Sequence, residues 1–185
     1  LDAGLRGELR AELHRILKES SKTVLLVTHD RGEAFEMADR IGVLTEGRLQ
    51  QTGTPESVHR RPCNDAVARL VCDGALLPAR REGSAVSTEL GPLPLDEAIA
   101  GSDELLALVR ESAVTLVRDP DGEGIVERCV FRGSGNAVEV RLPSGAALRC
   151  GGDRGSDLQP GDRVRVRLDT REVLVVAKVT GPAIR

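Results

Sequence analysis

The chain has 185 residues, enough for one large or two small domains, and its 40% hydrophobic and 30% charged residues are ordinary for a globular protein. It contains two Phe and no Tyr or Trp, and its net charge is -3, which argues against a base-stacking platform, an aromatic cage or a general attraction to nucleic acid. The four cysteines are Cys63, Cys72, Cys129 and Cys150. They are widely separated and form no C-x-x-C pair, so neither a zinc site nor a disulfide framework is predicted.

The first elements are predicted to be a helix and a buried strand. Leucines and isoleucines at helical spacing predict an amphipathic helix over about residues 3–19, with Asp2 as its N-cap. The apolar run 23–27 has no charge and no polar alternation, which is typical of a strand buried on both faces of a parallel sheet. Ligands of open parallel sheets bind beyond the carboxyl ends of the strands, so His29 is predicted to face a ligand.

Capping and turn residues predict the elements that follow. Asp30 is expected to cap a second helix that ends near Arg40, with Glu33 completing a capping box. His14 and His59 have charged neighbours on predicted helices and are expected to face solvent. Further signals predict a hairpin at Glu46-Gly47, a helix start at Thr54-Pro55, and a last helix that is capped by Asn64 and includes Val71.

Beyond Cys72 the helical pattern gives way to short alternating strands separated by Gly, Pro and Asp turns. We therefore place a domain boundary there, between a first domain over residues 1–72 and a second over residues 73–185. Many short strands at such spacing indicate a small closed or nearly closed barrel. The predicted strands are 76–77, 85–88, 104–110, 114–117, 125–131, 137–142, 147–150, 164–168 and 172–176.

A series of motifs in the first domain resembles the last third of the nucleotide-binding domain of an ABC importer. Leu1-Asp2 resembles the end of the D-loop, and Val27-Thr28-His29-Asp30 resembles the H-loop. A series of motifs of this length points to one family far more specifically than a single motif would. The pattern continues in the same order and spacing with Glu33-Ala34, Met37-Ala38-Asp39-Arg40-Ile41, Gly47, Gln51-Thr52-Gly53-Thr54-Pro55-Glu56 and Pro62-Cys63-Asn64.

Residues 73–185 resemble the appended OB-like β-barrel, called the TOBE domain, of ATPases that import ferric iron, sulfate, polyamines or sugars. The resemblance implies an α/β C-terminal part of an ABC ATPase domain followed by an all-β OB-like (TOBE) barrel with a regulatory or dimerising role. It also implies that His29 contacts the γ-phosphate of ATP and positions the attacking water, and that Asp2 contacts the opposite subunit across a dimer interface. The alternative for His29 is a histidine that only caps the following helix.

For the complete protein, the resemblance implies ATP and Mg²⁺ as cofactors and ATP hydrolysis coupled to uptake of a solute such as ferric iron. It implies a homodimer through the ATPase and TOBE domains, membrane permease subunits as partners, no nucleic acid, and a cytoplasmic location at the inner face of the cell membrane. The chain contains neither a G-x-x-x-x-G-K-[ST] loop nor a Leu-Ser-Gly-Gly signature. We therefore expect this fragment to bind ATP poorly and to hydrolyse none.

Arg163, Arg165 and Arg167 alternate along one predicted strand and so share a face, which could bind an oxyanion or nucleic acid. A rival hypothesis therefore treats the barrel as a stand-alone binding module for one of these ligands. A third hypothesis treats the barrel as a structural dimerisation unit that binds no ligand. The lack of aromatic partners favours a solvated face. In addition, the run 24–27 lacks most of its sheet, so it is expected to be exposed and prone to pairing with another copy, or supported by an oligomer.

Overall fold

The computed structural model describes residues 3–20, 22–83, 85–94, 104–133, 135–151 and 157–179. The chain divides into two compact units, Leu1–Pro62 and Cys63–Arg185. The division precedes the boundary that the sequence suggested at Cys72, because the last predicted helix belongs to the second unit. There the Asp65 carboxylate accepts a 2.8 Å hydrogen bond from the backbone N–H of Val179.

The first unit combines helices with a short hairpin. The hairpin turns at Glu46 and Gly47, whose φ angles of 49° and 71° both lie in the left-handed region. Two consecutive positive φ angles suit the right-handed twist of a tight hairpin, so the predicted turn is confirmed. The elements of this unit are α1 (Ala3–Glu19), α2 (Arg31–Met37), β1 (Ile41–Thr45), β2 (Arg48–Gly53) and α3 (Pro55–Arg60).

The predicted strand over residues 23–27 is wrong for this structure. Residues 22–30 form neither helix nor strand, and Leu25 and Val27 are 89% and 88% exposed. A strand needs backbone partners, and within the described part of the first unit β1 and β2 pair only with each other. The run is exposed, as expected for an apolar segment without strand partners, while its pairing with another copy or its support by an oligomer stays a prediction.

Side-chain caps start the short helices as the sequence predicts. The Thr54 hydroxyl accepts a 3.2 Å hydrogen bond from the N–H of Ser57 at the start of α3. In the second unit, the Asn64 side chain accepts a 2.9 Å hydrogen bond from the N–H of Val67 and starts α4 (Asp65–Val71). Each cap satisfies a backbone donor that the first helical turn leaves unpaired.

Beyond α4, the described part of the second unit consists of β-strands and one 3₁₀ turn, Glu111–Ala113. Every strand predicted for residues 73–185 is present, and Gly91–Pro94 forms a further strand. Its two prolines disfavour a strand by propensity, so the sequence did not predict it. The strands are β3 (Ala75–Glu82), β4 (Ala85–Thr88), β5 (Gly91–Pro94), β6 (Leu105–Val109), β7 (Val114–Arg118), β8 (Gly124–Phe131), β9 (Asn136–Arg141), β10 (Ala147–Cys150), β11 (Arg163–Leu168) and β12 (Leu174–Ala177).

These strands pair in two five-stranded antiparallel sheets, in the orders β12-β6-β3-β4-β5 and β10-β9-β8-β11-β7. The two edge strands of the second sheet contact each other, and the Cys150 thiol of β10 donates a 3.2 Å hydrogen bond to the carbonyl of Val114 in β7. This is the nearly closed barrel that the sequence predicts. Leucine and valine side chains of both sheets form one buried core, which includes Leu77, Val86, Val140 and Val164.

None of the four cysteines, all of which lie in the described part of the chain, forms a disulfide bond. Cys72 and Cys150 are buried, Cys129 is half-buried and Cys63 is exposed. Burial raises the pKa of the Cys129 thiol, and the nearby Asp162 carboxylate adds to the increase. A raised pKa keeps the reactive thiolate scarce at neutral pH, which suits a structural role for this side chain.

The close approach of β11 to the loop before β8 requires a glycine. A Cβ atom built on Gly122 would lie 2.2 Å from the carbonyl carbon and 2.3 Å from the carbonyl oxygen of Val164. Both are backbone atoms of a buried strand, so they cannot rotate away as a side chain could.

We predict that Gly122→Ala destabilises the second unit by about 3 kcal/mol, since overpacking against backbone forces the strands apart. Gly145→Ala is the matched control, because its Cβ meets open space and only its φ of 86° opposes the change, at about 1 kcal/mol. Urea unfolding followed by circular dichroism measures both, as the chain lacks Trp and Tyr fluorophores. Equal unfolding midpoints for the two variants would contradict the assigned contact.

Candidate functional site

His29 lies on the surface of the first unit, immediately before α2. The residue that caps this helix is Asp30, whose carboxylate accepts a 3.1 Å hydrogen bond from the N–H of Glu33. Thr28 also helps to fix the turn, because its hydroxyl accepts a 3.0 Å hydrogen bond from the N–H of Asp30. Since Asp30 occupies the N-cap, the alternative in which His29 is only a helix cap is wrong, and the imidazole remains exposed.

Ion pairs connect α1 to the segment that carries His29. An Arg10 guanidinium nitrogen lies 2.9 Å from the Asp30 carboxylate, and its other terminal nitrogen lies 3.7 Å from Glu36. Lys18 pairs with Asp39 just beyond α2. The side chains of Asp30 and Asp39 are 48% and 80% exposed, so water screens these pairs and they orient the segment more than they stabilise it.

The Asp30 carboxyl is held in its ionised form by the groups around it. The hydrogen bond from the N–H of Glu33 contributes most to lowering its pKa, and the Arg10 guanidinium lowers it further. A charged cap at a helix start is favoured because the first N–H groups of the helix carry partial positive charge. The geometry next to His29 is therefore set by an anion at neutral pH.

The other predicted site residue, Asp2, lies outside the described residues. His14 and His59 are each half-buried, which corrects the expectation that they simply face solvent. The His59 ring packs edge-to-face on Phe35 with a 5.8 Å centroid separation and an 86° interplanar angle. His59 therefore has a packing role between α3 and α2.

The sequence lacks the phosphate-loop motif on which a nucleotide site of this class depends. Phosphoryl transfer needs a loop of backbone amides with a lysine, and a carboxylate to hold Mg²⁺, whereas this chain has no phosphate-loop motif. The segment before His29 is irregular and exposed, so it forms no cradle around a triphosphate. We therefore assign no step of ATP hydrolysis to these residues alone.

Neither a metal site nor a membrane-spanning helix is found in the described residues. Among those residues, no group of three or more His, Cys, Asp or Glu is arranged to hold a metal ion. None of the helices found there has the length and apolar character needed to cross a membrane.

The basic row on β11 is a solvated face, as the sequence favoured. Arg163, Arg165 and Arg167 alternate with the buried Val164 and Val166. Two of these arginines have partners within the unit: Arg165 donates to Asp119 at 2.6 Å, and Arg163 to the carbonyl of Gly122 at 3.1 Å.

Sequence analysis missed a second basic cluster on the outer face of β8, β9 and β10. It contains Arg128, Arg132 and Arg149 and lines a small cavity. No periodicity within one strand could reveal it, since Arg128 lies on β8, Arg132 just beyond its end and Arg149 on β10, and only the pairing of the strands brings them together.

Comparison with known proteins identifies the second unit and relates the whole chain to one class. Residues 106–176 match the family model of the TOBE domain. The chain is 35% identical over 189 residues to the Fe(3+) ions import ATP-binding protein FbpC of Streptomyces avermitilis, with 98% of this chain and 53% of that protein covered. It is 36% identical over 187 residues to FbpC of Streptomyces coelicolor, with 95% and 51% covered.

A relative with a different named substrate matches over a similar length. The spermidine/putrescine import ATP-binding protein PotA of Oleidesulfovibrio alaskensis is 32% identical over 180 residues, which cover 90% of this chain and 46% of that protein. Among solved structures, the cytoplasmic molybdate-binding protein ModG aligns with a TM-score of 0.41 and 15% identity, covering 56% of this chain and 92% of that chain. That likeness is too low to support an argument about function.

Over nearly its whole length the chain is similar to ATP-binding subunits of ABC importers, and its residues 106–176 match the TOBE domain. Within this class it is similar to the Fe(3+) import ATP-binding proteins FbpC, and it spans about half the length of the curated relatives it matches. The resemblance inferred from the H-loop and the barrel is confirmed.

The cap beside His29 makes α2 sensitive to acid. Because the folded state lowers the pKa of Asp30, its contribution is present above the unfolded pKa and is lost as the pH falls through the folded pKa. We predict that the Cα chemical shifts of Glu33 and Ala34 move toward coil values over that acidic range. Asp30→Asn should weaken this pH dependence and retain the helix, since Asn also caps well. An identical acid transition in the Asn variant would contradict the assignment.

Proposed function

We propose that this chain is the C-terminal part of an ABC-importer ATP-binding subunit, and that the complete protein couples ATP hydrolysis to uptake of ferric iron or a related solute. The observation that carries the proposal is the joint occurrence of an H-loop sequence at residues 27–30 and a TOBE domain at residues 106–176 in one chain. Similarity to FbpC over 98% of the chain supports treating the two parts as one functional unit.

In this proposal the two parts have separate roles. Residues 1–72 contribute the last α/β part of a nucleotide-binding domain, and residues 73–185 form the TOBE domain, which regulates or dimerises the protein. The parallel sheet that covers the run 23–27 is supplied by the longer protein. The exposure of Leu25 and Val27 supports this idea, because such side chains normally lie inside a sheet of this class.

His29 is proposed to donate a hydrogen bond to the γ-phosphate and to position the attacking water. The support is its exposed position next to a helix start that Asp30, Thr28 and Arg10 hold in place. An imidazole held there can stabilise the charge that develops on a phosphoryl group. The chemistry itself requires bound ATP and Mg²⁺, together with residues that this chain does not contain.

The proposed assembly follows from the same relationship. Two subunits pair through their ATPase and TOBE domains, with Asp2 at the interface, and bind permease subunits at the inner face of the cell membrane. A role in nucleic-acid binding is disfavoured, because two arginines of the β11 row have partners within the unit and no Tyr or Trp is present for base stacking.

The role of His29 is tested in the longer protein. We predict that His29→Ala lowers the rate of ATP hydrolysis roughly 100-fold, since a donor to developing phosphoryl charge is lost, while ATP affinity changes little. Steady-state phosphate release and ATP titration measure the two effects. His14→Ala is the control and should retain hydrolysis. Unchanged hydrolysis in the His29 variant would exclude the proposed role.

The assignment to a longer ATPase is tested by the coding sequence upstream of Leu1. We predict an in-frame phosphate-loop motif, followed by a hydrophobic strand that ends in Asp-Glu just before Leu1. We also expect no calorimetric signal of micromolar ATP binding by the 185-residue chain, because one histidine cannot replace the missing phosphate loop. An upstream stop codon, or micromolar affinity of this chain for ATP, would count against the proposal.

A further inference from the structure

The sheet β12-β6-β3-β4-β5 ends on one side at β5, a strand of four residues. Among the described strands, β5 pairs only with β4, on one of its two sides. A strand at the edge of a sheet normally presents free N–H and C=O groups to which a further strand can bind. The outer side of β5 differs from such an edge, because the strand contains Pro92 and Pro94 and proline has no N–H.

The register of the hairpin sets the direction in which these two prolines face. In an antiparallel ladder, each residue directs its N–H and C=O to one side of the strand, and successive residues alternate between the two sides. Because β5 pairs residue by residue with 85–88 of β4, the positions that can donate to β4 are Gly91 and Leu93. The backbone nitrogens of Pro92 and Pro94 therefore face away from β4, toward the edge.

The core does not require proline at either position. Leu93 is 4% exposed and belongs to the buried core, whereas the side chains of Pro92 and Pro94 lie on the exposed face of β5. A β-branched residue suits the exposed face of a strand better than proline does. The two prolines therefore act on the edge of the sheet and not on its interior.

A third proline, Pro78 in β3, follows the same rule within the sheet. The pairing of β3 with β4 begins at Arg80, so β4 does not extend to position 78. On the other side, Lys178 donates its backbone N–H to the carbonyl of Glu104. Alternation from that pair directs the hydrogen bonds of Leu106, which lies opposite Pro78, to β12 instead of β3. Proline thus occurs in this sheet where no described strand needs the N–H.

We propose that Pro92 and Pro94 close this edge to strand addition, so that β5 is the last strand of its sheet. An extended strand of a second copy that approached β5 from outside would find carbonyl acceptors but no N–H donors at these positions. Its own carbonyls would be left without partners, which is costly once water is excluded. Two barrels would then contact each other through side chains and not through one continuous sheet. That consequence for the dimer rests on the proposed function, whereas closure of the edge does not.

The proposal is tested by restoring the two missing donors in the 185-residue chain. Pro92→Thr and Pro94→Thr are combined, because threonine favours strands and supplies a backbone N–H. We expect this threonine variant to self-associate at a concentration at least roughly tenfold lower than the natural chain does, since each pair of edges gains several hydrogen bonds. Sedimentation velocity over a range of concentrations measures the difference. Any association through the exposed run 24–27 is common to both chains.

The matched control combines Pro143→Thr with Pro160→Thr. Both prolines are exposed and lie in turns outside this sheet, between residues that are joined by a backbone hydrogen bond across the turn. Their replacement removes the same two rings and adds the same two N–H groups, but not at a sheet edge. The association of this turn variant should therefore equal that of the natural chain.

Lysine at the same two positions separates edge pairing from aggregation of unfolded chains. Combined Pro92→Lys and Pro94→Lys also restore the N–H groups, but like charges would repel across two paired edges, so association should be weaker than in the threonine variant. In the threonine variant, amide exchange at positions 92 and 94 should slow as the concentration rises. Unchanged sedimentation of the threonine variant, or equal association of the threonine variant and either the lysine or the turn variant, would overturn the proposal.

Discussion

Backbone hydrogen bonding between neighbouring strands is the constraint on which both units depend. In the second unit β6 is buried along its whole length and is paired on one side by β12 and on the other by β3. In the first unit the run 23–27 has a comparable apolar composition, but the described strands offer it no partner. The same kind of sequence is therefore a central strand in one place and an exposed irregular segment in the other.

The local elements could be predicted from the sequence because their causes are local. Asp30, Thr54 and Asn64 cap helices, and Glu46-Gly47 turns a hairpin, through contacts that span only a few residues. Alternation of valines with charged residues also located β11. By contrast, whether the run 23–27 forms a strand depends on partner strands elsewhere in the protein, and a local sequence pattern does not show whether those strands are present.

Of the two candidate sites, the sequence predicted the one that depends on a local motif and missed the one that depends on strand pairing. The H-loop pattern singled out His29, and the structure confirms the prediction that Asp30 caps α2. The arginine cavity could not be predicted, because it depends on the extra residue Glu127 in β8 and on the register of three strands. A bulge of one residue reverses which side chains face outward, and composition does not reveal where it occurs.

We propose that the run 24–27 becomes a sheet strand when a longer protein supplies its neighbours. Amide hydrogen exchange of the 185-residue chain tests it most directly, because exchange reports whether a backbone N–H has a stable partner. We expect fast exchange at residues 24–27 in the monomeric chain and slow exchange across β6, with protection of residues 24–27 appearing only in the longer protein. Full protection of residues 24–27 in a uniformly monomeric chain would contradict it.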